Sequence, residues 1–170
     1  GDVYKRQEEY DYEVCSCFTN NPEAAGLSFC KEYKIDCKII DHKNYNDREE
    51  YDGLINSYLE NLNPDLIVLA GYMRIMSKSL VDNWEGQIVN IHPSLLPKYP
   101  GLNTHKRALE AKDKTHGSTI HFVTSELDSG PIIRQESFEI EPSDTEESLI
   151  NKVKDLEHKI YPETISLLIK

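Results

Sequence analysis

The sequence predicts an α/β protein built on an open, largely parallel twisted sheet with flanking helices. Three observations carry this. Short β-type runs alternate with longer helical patterns along the chain. The run Leu66-Ile67-Val68-Leu69-Ala70 is apolar without a polar alternate, the mark of a strand covered on both faces. A length of 170 residues suits one domain with a single sizeable core.

In chain order, residues 13–19 and 38–40 read as the first two strands. Residues 65–70 and 87–92 read as the next two, and 117–123 and 131–138 as the last pair. Between them, 22–33, 47–62, 77–84 and 104–111 have helical composition and length. A final helix is predicted from Ser143-Asp144-Thr145-Glu146, a Ser-x-x-Glu capping box, with Leu149, Val153, Leu156 and Ile160 on one stripe. Glu157 falls on that stripe. A carboxylate there is costly unless bonded, so either the helix edge meets water or Glu157 serves a ligand.

With 19 Lys+Arg against 30 Asp+Glu the net charge is −11, which argues against sequence-independent binding to nucleic acid. The longest apolar stretch, 66–73, is far below the roughly 20 residues that span a bilayer, so no membrane helix is expected. Residues 1–30 lack the order of a secretory signal. Cys15, Cys17, Cys30 and Cys37 lack paired Cys-x-x-Cys spacing, so they read as reduced thiols of a cytoplasmic protein, with no metal expected.

The most informative segment runs from Asn90 through His92 to Gly101. Asn90 and His92 are two apart at the carboxyl end of a strand, so both project to one face, where open α/β sheets bind ligands. Pro93, Pro97 and Pro100 then fix the loop's shape. An amide donates well to a developing oxyanion and a histidine titrates near neutrality, so the pair suits acyl-type transfer through a tetrahedral intermediate. A strand-end pair that merely satisfies local backbone groups explains the same pattern. Asp128 precedes a Gly130-Pro131 turn and reads equally as a turn residue. His121 reads as a packed polar residue. Met73-Arg74-Ile75-Met76 offers walls for a flat heterocycle and a cation for a carboxylate, or else a helix start packed in the core.

Taken together, Leu69-Ala70-Gly71-Tyr72-Met73-Arg74-Ile75, the 90–101 run, His116-Gly117-Ser118 and the 124–131 run resemble the phosphoribosylglycinamide formyltransferases. The likeness to this folate-dependent family of purine synthesis covers about 12–165. It implies a Rossmann-like fold and transfer of a formyl group from 10-formyltetrahydrofolate to glycinamide ribonucleotide, without a metal. By this resemblance Asn90, His92 and Asp128 match the catalytic trio, with Asp128 holding His92. Arg48, Met73, Arg74, Ile75, Met76 and Asn90 match folate contacts, and Glu157 matches a glutamate that holds the ribonucleotide. The partners implied are small molecules, with monomer and homodimer both open. Alternatives left standing are a folate-dependent deformylase, another formyltransferase with the same donor, and a non-catalytic folate-binding fragment.

The family begins with a strand leading into a Gly-Ser-Asn-rich phosphate loop, and no such pattern occurs at the start of this chain. The expectation is an unrelated leader over 1–9, a single formyltransferase domain over 10–170, and a first strand and phosphate loop missing.

Overall fold

Strands and helices alternate in the order β1 (Cys17–Thr19), α1 (Gly26–Glu32), β2 (Cys37–Ile39), α2 (Arg48–Leu62), β3 (Ile67–Leu69), α3 (Lys78–Asn83) and β4 (Ile88–His92). Then come α4 (Thr104–Glu110), β5 (Thr115–Phe122), β6 (Ile132–Glu139) and α5 (Glu146–Ile169). The computed structural model describes residues 9–170. Residues 1–8, all but the last position of the expected leader, lie outside the described residues.

Hydrogen bonding groups the strands as β1-β2 and β3-β4-β5-β6. The ladders β1–β2 and β3–β4 are parallel, whereas β5 runs antiparallel to both β4 and β6. The expected parallel sheet is therefore mixed in its last half. The connection 123–131 between β5 and β6 is shorter than the dozen or so residues that a parallel crossover needs, so the chain can only turn back.

The two faces of the sheet hold two apolar clusters, which is why β3 has no polar alternate. Ile67, Leu69 and Ile88 face Tyr51, Ile55, Leu80 and Trp84 from α2, α3 and the residue after α3. Leu66, Val68 and Val89 face Ile160, Tyr161 and Ile165 of α5. Phe18 and Ile40 pack into the first cluster, so the two-stranded sheet shares the core of the four-stranded one. The Tyr161 hydroxyl donates to the Leu69 carbonyl at 2.6 Å, anchoring α5 beneath the ends of β3 and β4.

Helix boundaries follow local bonding. The expected helix 22–33 begins only at Gly26, because the Asn21 side chain accepts the Glu23 N–H at 3.0 Å and holds a turn instead. The cap of α5 is Thr145 rather than Ser143. The Ser148 N–H donates to Thr145 Oγ1 at 3.2 Å and the Thr145 N–H donates to Ser148 Oγ at 2.9 Å, while Ser143 lies in a turn closed by Asp144 N–H to the Glu141 carbonyl. Asp47 caps α2 and Ser77 caps α3, each accepting a backbone N–H through its side chain.

Candidate active site

Two-residue alternation puts Asn90 and His92 on one face of β4, and the antiparallel register sets Asn90 opposite His121 on β5. The Asn90 amide donates through Nδ2 to His121 Nε2 at 3.3 Å. His121 Nδ1–H in turn donates to the Phe122 carbonyl at 3.0 Å, which leaves Nε2 as the acceptor and fixes the tautomer. Burial pulls the His121 imidazole below its usual range, so it stays neutral in that role. One hydrogen of the Asn90 amide remains for a ligand. A register irregularity between Ile120 and His121, with β6 skipping Ile133, sits beside the site, as bulges commonly do.

His92 is buried, and both its ring nitrogens face acceptors. Nε2–H donates to the Tyr99 carbonyl at 2.8 Å, and Nδ1 lies 3.5 Å from Asp128 Oδ2. The arrangement complements an imidazolium. The tighter contact anchors the ring through Nε2, and the looser one leaves Nδ1 as the nitrogen able to exchange a proton. Asp128 has φ 49°, the left-handed region that Asp tolerates better than most side chains. From there its Oδ2 accepts the Gly101 N–H at 2.8 Å, and its Oδ1 lies 3.8 Å from His121 Nε2. One carboxylate thus faces both histidines and ties the 124–130 loop to the end of the proline-rich loop.

That proline-rich loop is held from below by polar side chains of β5 and β6. Thr119 Oγ1 accepts the Leu96 N–H at 3.1 Å, Gln135 donates to the Leu96 carbonyl at 2.9 Å, and Ser94 Oγ donates to the Lys98 carbonyl at 2.6 Å. Its shape comes from these bonds as well as from its prolines.

Glu157 lies on α5 with its carboxyl 2.8 Å from Ser118 Oγ, and the same hydroxyl reaches the His92 carbonyl at 2.9 Å. Burial pushes the Glu157 carboxyl up. A protonated Glu157 would donate to Ser118, freeing the Ser118 proton for His92, so one chain of bonds would satisfy all three groups. Glu157 is therefore linked through Ser118 to the backbone of the strand that carries Asn90 and His92.

Of the folate-contact candidates Asn90 belongs to this polar cluster, while the others lie on α2 and the segment after β3. Residues 70–77 form an irregular segment with bends rather than a helix start. Its side chains alternate: Met73 and Ile75 are 78% and 53% exposed, while Met76 packs into the first core cluster. The Arg74 guanidinium lies over the Tyr51 ring, 4.9 Å from its centroid. Arg48 is exposed at the first position of α2. Glu49, beside it, accepts from Ser79 Oγ at 2.7 Å, and Asp52 accepts the Ser77 N–H, so the start of α2 is stitched to the start of α3. Leu127 and Leu102, in the two loops joined by Asp128, are also exposed. Exposed apolar side chains in the loops around a half-buried polar cluster suit a flat, partly apolar ligand.

Sequence reasoning missed four participants. His121 was read as packing, yet its place opposite Asn90 follows once the β4–β5 register is known. Ser118 lies in a motif of the resemblance without a role of its own. The Tyr99 carbonyl and the Gly101 N–H are backbone groups and leave no side-chain signal.

A family model described as formyl transferase matches residues 3–165 of this chain. The chain is 42% identical over 153 residues to phosphoribosylglycinamide formyltransferase of Escherichia coli (strain K12), covering 90% of this chain and 72% of that protein. It is also 42% identical over 156 residues to the trifunctional purine biosynthetic protein adenosine-3 of Gallus gallus, covering 92% of this chain but only 16% of that much longer protein. The solved phosphoribosylglycinamide formyltransferase of Coxiella burnetii superposes with a TM-score of 0.93 at 41% identity, over 97% of this chain and 79% of that one.

Proposed function

The chain belongs to the formyl transferase family, and on that premise we propose that it transfers a formyl group from 10-formyltetrahydrofolate to the amine of glycinamide ribonucleotide. The observation that carries the reading is the convergence of half-buried Asn90, buried His92 and half-buried Asp128 at the end of β4. The folate supplies the formyl carbon. Asn90, held by neutral His121, directs its remaining amide hydrogen at the negative charge that develops on the formyl oxygen when the amine attacks. His92, fixed through Nε2 to the Tyr99 carbonyl, stabilises the same charge. Its Nδ1 carries the proton lost by the attacking amine to the folate nitrogen, which leaves as the bond between that nitrogen and the formyl carbon breaks. Asp128 stabilises the positive imidazole and fixes the loop at Gly101. One such oxyanion donor is worth about 3 kcal/mol, roughly a hundredfold in rate.

In this reading Met73 and Ile75 wall the heterocycle of the donor, Met76 supports them from the core, and Arg48 and Arg74 supply cations for its carboxylates. Glu157, beside Ser118, takes the hydroxyl groups of the ribonucleotide. Four reduced thiols accord with the cytoplasm as its location. No helix among the described residues is long and apolar enough to cross a membrane.

The test is to incubate the chain with both substrates and follow products by liquid chromatography with mass detection. Formylated glycinamide ribonucleotide should appear only when both are present. Deformylation of the folate at one rate with or without acceptor, and no formylated nucleotide, would overturn the reading.

A further inference from the structure

Cys17, Cys30 and Cys37 are separated by 12 and 6 residues, a spacing with no zinc-site pattern, yet the fold brings all three together. Cys17 on β1 and Cys37 on β2 stand opposite each other in the parallel ladder, and α1, which connects the two strands, lays Cys30 over them. Every Sγ of the three lies within 4.8 Å of the others. We propose that these three sulfurs form a binding site for a soft, thiophilic metal ion, outside the formyl-transfer site.

The geometry is close to what such an ion needs. Sulfurs bound at about 2.3 Å around one ion stand about 4 Å apart, so closing the site takes a contraction of under about 1 Å. Small side-chain rotations supply that. The backbone beside each ligand is already pinned: the Cys17 N–H donates to the Asp36 carbonyl at 2.8 Å, and the Ile35 N–H donates to the Cys30 carbonyl at 2.8 Å. Binding therefore costs little reordering of the chain. Cys30 is only 3% exposed, whereas Cys17 and Cys37 are half-buried, which leaves an entry path and room for water as a further ligand. An all-sulfur set selects Zn(II), Cu(I) and their heavier analogues over magnesium or calcium, which require oxygen. The ion would staple β1, α1 and β2 into one unit. None of the catalytic candidates Asn90, His92 and Asp128 lies on these elements.

Cadmium is the probe. Titrated into the full chain kept reduced with a phosphine, it should bind one ion per chain and produce a thiolate-to-cadmium charge-transfer band. It should also suppress alkylation of half-buried Cys17 and Cys37 by iodoacetamide while exposed Cys15 still reacts. Zn(II) or Cu(I) in excess should release the cadmium, and magnesium should not. Cys37→Ser should weaken cadmium binding by more than about 100-fold, since loss of a ligand exceeds the roughly 10–100-fold cost of an outer-shell change. Cys15→Ser should bind like the parent, and metal-free melting of each variant reports whether it still folds. Unchanged alkylation of Cys17 and Cys37 in the presence of cadmium would overturn the proposal without recourse to any variant. So would equal weakening by Cys15→Ser and Cys37→Ser.

Discussion

At the end of β4, Asn90 is bonded to His121, His92 lies between Tyr99 and Asp128, and Asp128 holds Gly101. Just beyond the paired strand β3, Met73 and Ile75 are left 78% and 53% exposed. One region has its polar groups fixed by hydrogen bonds; the other presents apolar surface to solvent. Under the proposed function the difference follows from what each must supply. Stabilising a developing charge requires dipoles that need not reorganise, so that region is tightly bonded. Binding a heterocycle draws on apolar area removed from water, about 25 cal/mol per Å², and area must be exposed beforehand to contribute.

The most drastic way to break the comparison is to disrupt the frame of the polar region. A Cβ on Gly130 would stand 1.8 Å from the Phe122 carbonyl oxygen, next to His121. Gly130→Ala should therefore cost about 3 kcal/mol or more in stability, read by urea denaturation, and should abolish transfer. A smaller intervention keeps shape and removes charge. Asp128→Asn can still accept the Gly101 N–H but no longer presents an anion to His92 and His121. Transfer should fall about 100-fold while far-UV circular dichroism stays unchanged. Retained activity would remove the charge from the mechanism.

The apolar region should respond differently. Met73→Ser leaves the polar cluster untouched and removes one wall of the donor site, so KM for the folate should rise by about 10-fold with kcat nearly constant. A fall in kcat with constant KM would mean that the two regions do not divide the work this way.

The smallest effect concerns stability alone. His116, at the far end of β5 from His121, is 1% exposed, and burial pulls its imidazole down to about 4. The unfolded chain binds a proton that the folded chain does not. This group's share of stability is thus present above pH 6.5 and is lost as pH falls towards about 4. His116→Asn should flatten the decline in urea midpoint between neutral pH and about pH 5. An unaltered slope would show that other groups carry the acid sensitivity.

Much of the frame was legible because burial writes itself into the sequence. Leu66-Ile67-Val68-Leu69 has no polar alternate, and its residues do divide between the two core clusters. Period-two alternation was enough to put Asn90 and His92 on one face. The short 123–131 connection implies that β5 and β6 run antiparallel, but the direction of β5 against β4 was not legible, since a run of β-type residues carries no sign of parallel or antiparallel pairing. Ser143-x-x-Glu146 obscured the actual cap because Thr145 and Ser148 offer an overlapping choice, and only the preceding turn decides between them. The convergence of Asp128 on His92 spans 36 residues of chain and came from the family resemblance, as did the roles of Arg48 and Glu157. The meeting of Cys17, Cys30 and Cys37 was hidden for the same reason: tertiary neighbours leave no local period.

The central claim is that the end of β4 performs chemistry while the segment after β3 holds the donor. It is tested most directly by measuring transfer rate and folate-analogue affinity side by side in His92→Ala. The account predicts a loss of transfer of about 100-fold or more, with affinity for the analogue and far-UV circular dichroism unchanged. Transfer within tenfold of the parent, or parallel loss of rate and affinity, would contradict it.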